Sequence, residues 1–357
     1  MSKSGAINHD IDVLVDKPIT APILIDKDES YKKIYNDYLE LSIAVQKHPK
    51  SNVIVIAPRR YHKGFTLVQH YLENFLKKYE IPITFIDIFH AEGQWNMPDE
   101  FFYRENHPYK YGYGELLHSG YHFVDLLCYF ENINNNLAGM SCEKIKLASV
   151  HTTPYDFLHQ INQQAYRNIL NSSYEKFYRK SSLNQLKKFG EVDLNAICQF
   201  IRGDAVITTG VLNLLQTSFS RRMQSSLPKD TYKNNGRVRE EHIILQVGTL
   251  LCVLIDSNQT GETKDIGCNE NFVIQFFRNA GLIGGQVYDK LEITDNTKDI
   301  KLYQEARKEI ILDWLEGNRS ATNLLDHRET EYFITKLYES ITNQNKGEMS
   351  FIQYQVK

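Results

Sequence analysis

Residues 112–130, GYGELLHSGYHFVDLLCYF, read as a helix that opens on glycine and is covered on nearly all sides. Leu116, Leu117, Phe123, Val124, Leu126 and Leu127 leave almost no polar direction around its axis, the pattern of a core helix. The exceptions are His118, His122 and Asp125. Residues three and four apart are neighbours on a helix surface, so the spacing predicts all three on one face. Buried polar groups are costly without partners, so the stripe needs a reason. Three readings fit it. Histidine titrates near neutrality and suits acid–base work. The pair also suits a metal, with Asp125 or Glu115 as third ligand. It equally suits packed core histidines. The zinc-protease arrangement is excluded, because Ser119 stands where that motif needs glutamate. Gly112 and Gly114 read as the turn into the helix.

A helix buried all round needs a sheet and other helices about it, and both are legible. Residues 11–15, IDVLV, form a short buried strand that runs into Asp16, Lys17 and Pro18. Proline cannot continue a central strand and favours extended geometry before it, so Lys17 sits at the strand's carboxyl end. That is where open α/β sheets bind ligands. Residues 30–48 carry Tyr31, Ile34, Tyr38, Leu41 and Val45 at helical spacing. Residues 52–57, NVIVIA, are a continuous apolar strand of the kind found in parallel sheets. Together they make a βαβ unit.

After a second amphipathic helix over 65–79, the strands lengthen: 83–89, 144–150, 205–218 and, longest, 242–256. Residues 236–244 read as the turn and lead-in of a hairpin between the last two. A helical interval spans roughly 155–200, and helices over 302–315 and 329–341 close the chain. The predicted fold class is α/β plus α+β. A partial Rossmann-type βαβ remnant over 1–57 precedes a large, mostly antiparallel sheet domain with helices over 58–357.

Net charge is −3, from 41 basic and 44 acidic residues, which gives no electrostatic basis for a nucleic-acid partner. The pairs Arg59-Arg60 and Arg221-Arg222 read as solvated surface charge. The five cysteines are scattered without metal spacing, as expected of reduced thiols in a cytoplasmic protein, with Cys128 and Cys252 as packing residues. No segment has transmembrane length and no signal-peptide pattern opens the chain, so no membrane partner is expected. The three N-glycosylation sequons therefore read as chance matches, and the polar run 229–235 as an exposed loop. Residues 279–285, NAGLIGG, follow no clear predicted strand and do not fit GxGxxG, so they are rejected as a dinucleotide loop.

Taken together, the motifs resemble those of the Gfo/Idh/MocA family of NAD(P)-dependent oxidoreductases. Asp16-Lys17-Pro18 is similar to the family's Glu-Lys-Pro signature, and Arg59-Arg60-Tyr61 to its Arg-Arg-aromatic segment. GYGELLHSGYHFVD is similar to its glycine-opened helix, Glu191-Val192-Asp193 to its Glu-Asp entry to the central sheet, and Leu337-Tyr338-Glu339-Ser340 to its last helix. The resemblance implies hydride transfer between NAD or NADP and a hydroxyl or keto carbon of a sugar-like or polyol small molecule. It implies Lys17, His122 and His118 as catalytic candidates. Lys17, Tyr121, Asp125 and Arg60 would meet substrate, and Asp16, Lys17 and Pro18 would meet the cofactor. It also implies a homo-oligomer formed through the open face of the sheet.

Two departures stand out. His118 occupies the place of the family's catalytic aspartate. The strand, glycine loop and helix that would hold a pyrophosphate come before the Glu-Lys-Pro strand in the family, whereas about ten residues precede IDVLV here. The difference, on the order of 90 residues, raises the expectation of a truncated or wrongly started frame, or of a derivative that has lost its cofactor half. It also predicts an orphan strand pair with exposed edges, a stability liability. The rival to an enzyme is a non-catalytic binding or oligomerisation protein built on the same substrate domain.

Overall fold

The computed structural model describes residues 7, 9–25, 29–170, 180–222, 236–259, 271–293, 302–318 and 320–356. The small parallel pair comes first. Strands β1 (Val13–Val15) and β2 (Val53–Val55) flank helix α1 (Lys32–Lys47). Tyr35, Tyr38, Leu41 and Val45 of α1 pack with Val15, Val53 and Val55 in a separate apolar cluster. Strand β1 is shorter and wetter than expected, since Ile11 is 45% exposed and Val13 and Leu14 are half-buried.

The outer edge of this pair is not left open. The Val55 amide donates to Thr322 O at 2.9 Å, and Thr322 Oγ1 donates to Val55 O at 2.6 Å. Ile54 bridges Asn323, and Leu324 fills the small core. A segment near the chain's end thus satisfies backbone groups that would otherwise template further pairing.

The main body is a nine-stranded sheet in the order β10-β9-β8-β7-β3-β6-β5-β4-β11. Its strands are β3 (Phe85–Ala91), β4 (Lys144–Thr152), β5 (Asp193–Arg202), β6 (Ala205–Leu215), β7 (Arg239–Val247), β8 (Leu251–Gln259), β9 (Asn271–Arg278), β10 (Tyr288–Glu292) and β11 (Ile352–Gln355). All neighbours are antiparallel except β3 and β6. One face alternates buried residues such as Ile86, Ile88, Leu194, Leu212, Ile243 and Val253. These pack against α2 (Lys63–Tyr79), through Phe65, Val68 and Leu72. Between α2 and the closing helix come α3 (Glu100–Tyr103), α4 (Glu115–His118), α5 (Tyr121–Glu131), α6 (Pro154–Gln160), α7 (Gln163–Leu170), the one-turn α8 (Ala280–Ile283) and α9 (Leu302–Glu316). The closing helix α10 (Arg328–Asn345) adds Phe333, Ile334, Leu337 and Ile341 to the same core.

Several expectations are corrected. Residues 112–130 form two helices, not one: α4 and α5 are separated at Ser119 and Gly120. A Cβ on Gly120 would lie 2.8 Å from Glu115 O and 2.7 Å from Leu214 Cδ1, so the break is a tight backbone approach. The expected strand 242–256 is the hairpin β7–β8, turned at Gly248 with φ +53°. Strand β7 pairs with β3 and β8 and not with β6, because β3 is inserted between them. Of the helical interval, the described residues form α6, α7 and a 3-10 turn over Lys180–Lys188, while 193–200 belong to β5, whose Leu194, Ala196, Cys198 and Phe200 alternate into the core. Residues 279–285 do follow a strand, β9, but they make only α8 and lead to β10. Cys128 is buried as expected, whereas Cys252 is half-exposed on the open face. The run 229–235, Cys268 and the full sequons lie outside the described residues.

Candidate active site

The parallel pair β3–β6 ends at one edge of the large sheet, where β7 and β9 begin. His90 and Glu92 sit at the carboxyl end of β3, Arg239 at the start of β7, and Phe272 near the start of β9. The loop after β1 brings Asp16 and Lys17 to the same place. The turn Pro58–Tyr61 brings Arg59, and the α4–α5 junction brings Ser119 and His122. These residues, with Ser257, Asn258 and Tyr303, line a cleft of about 500 Å3. The size suits a small ligand, and the lining mixes hydroxyl and amide groups with aromatic rings.

Lys17 is half-buried here and donates through Nζ to the carbonyl of His118. Burial lowers its pKa to about 8, against the opposing pull of Glu92, Glu115 and Asp16. The peptide to Pro18 is cis, and Pro18 does not line the cleft. His122 faces the cleft at 8% exposure, and its Nδ1 has no hydrogen-bond partner among the described residues. Burial, then the charges of Lys17 and Arg59, push it well below the ordinary histidine value. It stands as a neutral imidazole in the cleft wall.

His118 lies on α4 and is separated from His122 and Asp125 on α5, and of the three only His122 lines the cleft. The His118 ring is packed edge-on against Tyr109 and the cleft residue His107, each at 5.0 Å, and against Tyr113 at 5.9 Å, and does not itself line the cleft. Only its backbone carbonyl reaches Lys17. Asp125 turns inward as well. It takes a bidentate pair of hydrogen bonds from Arg60, at 2.9 and 2.7 Å, one from Thr330 at 2.9 Å, and lies 3.1 Å from His327 Nδ1. Arg60 drives its carboxyl far below the usual range despite burial. Tyr121 is fully buried, with Oη 3.4 Å from His327 Nδ1. Arg60, Tyr121 and Asp125 therefore stand behind the cleft and are not among its lining residues. Arg59 and Arg60 are buried, not solvated. Arg59 pairs with Glu241 and lies 3.9 Å over the Phe123 ring, and buried Arg222 pairs with Glu100 at 2.6 Å.

A second set of groups joins Glu115, a candidate ligand in the sequence, to two residues that went unread there, His90 and Glu92. His90, Glu92 and Glu115, all buried, bring ligand-type atoms within 4.8 Å of one another. Ser119 Oγ donates to Glu115 Oε1. With its single proton so used, it accepts from His90 Nε2 at 3.2 Å. Glu92 pairs with Arg237, and with Arg239 at 3.2 Å. Those arginines and Lys17 already supply the positive charge a divalent ion would bring, and the Nε2 proton of His90 blocks its coordination. The set fits a proton and charge network better than a metal. The signal for it was positional: His90 and Glu92 directly follow a predicted strand at its carboxyl end.

The local fold explains how α4 is held. Glu191 Oε1 accepts from the Leu116 amide at 2.9 Å and from Tyr338 Oη at 3.0 Å, and Glu191 O accepts from the Glu115 amide at 2.8 Å. This satisfies the first-turn donors of the helix. Gly114 lies so close that a Cβ would sit 1.9 Å from Glu191 O. A backbone atom cannot rotate away, so Gly114→Ala is expected to destabilise the protein by about 3 kcal/mol or more. Urea unfolding checks this, and an unchanged midpoint would mean the approach is looser than described.

The residues fit a nicotinamide dinucleotide in part. His122 lines the cleft as a neutral ring, and Asp16 and Lys17 stand at a strand end. Among the described residues no glycine loop opens a helix of useful length after a parallel strand. The first-turn Gly64 amide of α2 is capped at 3.2 Å by the His62 ring, so that helix end is occupied.

No family model matches the chain, and no curated protein sequence does. Solved structures do match in shape. An oxidoreductase domain protein from Kribbella flavida aligns with TM-score 0.55 at 10% identity, over 99% of this chain and 77% of that one. A levoglucosan dehydrogenase in complex with NADH and L-sorbose gives 0.56 at 10% identity, over 99% and 76%. The aldose-aldose oxidoreductase of Caulobacter crescentus, complexed with glycerol, gives 0.51 at 10%, over 99% and 75%. The architecture of this chain, a large mostly antiparallel sheet joined to a small parallel pair, is the fold it shares with these solved oxidoreductase structures.

Proposed function

We propose that this chain is a Gfo/Idh/MocA-type oxidoreductase that interconverts a hydroxyl and a keto carbon on a sugar-like or polyol substrate. The observation that carries the reading is Lys17 and His122 lining one cleft of about 500 Å3, the histidine held neutral by burial and by the charges of Lys17 and Arg59. Asp16, Lys17 and Pro18 would hold the reacting end of NAD or NADP, which when bound supplies the hydride-accepting chemistry. Lys17, charged below about pH 8, donates to the substrate oxygen. His122, neutral, accepts the hydroxyl proton as that oxygen becomes a carbonyl. Ser257 and Asn258 offer further hydrogen bonds to hydroxyl groups.

The second reading is a sugar-binding protein without a redox step, favoured by the missing glycine loop among the described residues. Titration with NADH and NADPH followed by nicotinamide fluorescence, with turnover over a panel of aldoses and polyols, decides between them. Dinucleotide binding with turnover is expected. Sugar binding with neither dinucleotide bound would overturn the enzyme reading.

Two further features belong to the same proposal. The described cysteines are unpaired thiols, which suits the reducing cytoplasm, and no helix among the described residues is long and apolar enough to cross a membrane. The open face of the sheet is apolar for a solvent surface: Ile197 is 55% and Val150 56% exposed, with Phe89, Val211, Ile244 and Leu254 half-buried beside them. Large apolar patches mark association sites. A homo-oligomer through this face is expected, with a sedimentation mass at least twice that of the chain. Ile197→Lys should return it to a monomer.

A further inference from the structure

Strand β10 forms one edge of the nine-stranded sheet, and all five of its residues, Tyr288–Glu292, are exposed. Its inner side is engaged with β9. The Arg278 amide donates to Val287 O at 2.8 Å, and the Ile293 amide donates to Phe272 O at 2.8 Å. Residues 287, 289, 291 and 293 therefore turn their backbone groups toward β9. The N–H and C=O groups of Tyr288, Lys290 and Glu292 point outward, and no described residue pairs with them. Such an edge is a template for another strand. The side chains divide as well. Asp289 and Leu291 stand opposite the buried Phe276 and Ile274 on the helix-covered face, where Asp289 lies 3.6 Å from Arg278. Tyr288, Lys290 and Glu292 stand opposite Phe277, Gln275 and Val273 on the open face, where Tyr288 Oη donates to Gln275 Oε1 at 3.1 Å. We propose that β10 pairs antiparallel with β10 of a second copy of this chain, in the register that sets Leu291 opposite the partner's Leu291, so that the two sheets run on as one.

Charge selects the register. Residues directly opposite in a sheet point to the same face, so a two-fold pairing of identical strands is centred on one residue. Centred on Asp289 it opposes aspartate to aspartate, on Lys290 lysine to lysine, and on Glu292 glutamate to glutamate. Each is a like-charge pair that destabilises a sheet. Centred on Tyr288 it runs Lys290 and Leu291 past the start of the partner's strand. Centred on Leu291 it sets Lys290 opposite the partner's Glu292, and Glu292 opposite the partner's Lys290, with the two leucines between them. The two outward-facing pairs then exchange four backbone hydrogen bonds. A lysine on an edge usually blocks pairing, but here each lysine meets a glutamate. Neither Lys290 nor Glu292 has an ion-pair partner within its own chain among the described residues. Glu292 also lines the cleft, so the pairing sets the partner's strand at the cleft's rim.

The contact is short, well under the roughly 1,000 Å2 of a stable interface, so alone it does not hold two chains. It rests on the open-face homo-oligomer proposed above, which presents two edges at once. The second edge contact then forms within the assembly, at an effective concentration on the order of millimolar. For the same reason Ile197→Lys leaves a monomer. The edge two-fold stands perpendicular to the sheet, and the open-face two-fold lies in the plane between sheets. Perpendicular two-folds are those of a D2 tetramer.

A charge swap on the full chain, read by sedimentation velocity at one fixed concentration, tests the contact. The parent is expected at four times the chain mass. Lys290→Glu and Glu292→Lys each oppose like charges and should fall to twice the chain mass. The double variant Lys290→Glu/Glu292→Lys should return to four. Single variants that keep the parent's mass, or a double variant that stays with the singles, overturn the proposal. A parent at twice the chain mass, dissociated by Ile197→Lys and indifferent to Lys290→Glu, overturns the edge contact and leaves the open-face pairing standing. The converse pattern overturns the open-face pairing and leaves the edge contact standing. A monomeric parent overturns both. The register is read separately. Leu291→Cys oxidised with copper–phenanthroline should give a disulfide-linked dimer on a non-reducing gel, because a non-hydrogen-bonded cross-strand pair sets its Cα atoms about 4.5 Å apart, within disulfide reach. Lys290→Cys, which stands opposite the partner's Glu292, should not. Equal cross-linking in the two variants overturns the register.

Discussion

Replacing Asp125 by alanine is expected to cost about 3–5 kcal/mol of folding stability, read as a fall in the urea midpoint. The reason is what remains. Arg60 is 8% exposed and would keep its charge, with only Ala321 O at 3.3 Å and Asp326 O at 3.1 Å to meet it. Removing one partner of a buried pair leaves the other desolvated and uncompensated, which costs more than the pair contributes over an apolar replacement. The loss also uncouples α5 from α10, because Asp125 collects Arg60, Thr330 and His327 at one point. The pH sign follows from the depressed carboxyl. Its folded pKa lies below the unfolded value of about 3.9, so the contribution is full above that value and lost as pH falls below it. The parent protein should therefore weaken in acid below about pH 4, and Asp125→Ala should show much less of that slope. Were Asp125 a substrate contact instead, the variant would keep its urea midpoint and raise KM.

The same residue shows where sequence reading reaches its limit. Asp125 lies three residues from His122, and periodicity placed both on one stripe. The helix breaks at Gly120, and the carboxylate's partner lies 65 residues away in sequence. Nothing in local spacing announces that partner. Arg60 misled for the same reason: an arginine pair between predicted elements reads as solvated, and only tertiary contact buries it. Lys17 was legible, because a proline after a short apolar run puts the preceding residue at a strand end whatever the rest of the fold does. The βαβ unit was legible because its apolar runs are continuous. The insertion of β3 between β6 and β7 was not, since pairing between strands more than a hundred residues apart leaves no periodic trace. His90 and Glu92 were in view at the end of a predicted strand. Their chemistry depends on Glu115 and Ser119, from one segment, and on Arg237, from another.

His122→Asn is expected to lower kcat/KM by about 100-fold to 10,000-fold with little change in the thermal unfolding midpoint. The two halves of this expectation have separate causes. His122 is the neutral base in the cleft, and asparagine has no titratable nitrogen to take its place. The stability half follows because Nδ1 has no partner among the described residues, so that ring atom gives up no internal hydrogen bond. Asparagine also fills much of the space that alanine would leave empty. The pH profile of the parent adds a second check. Rate should fall on the alkaline side above about pH 8, as Lys17 loses its proton, and on the acid side only below the ordinary histidine value, where His122 gains one. In His122→Asn the acid limb should vanish while the alkaline limb stays, because the remaining activity still depends on Lys17. Loss of folding in His122→Asn would return this histidine to packing. An unchanged acid limb in a folded variant would assign the proton to another group, and His90 is the neutral histidine standing next in the cleft.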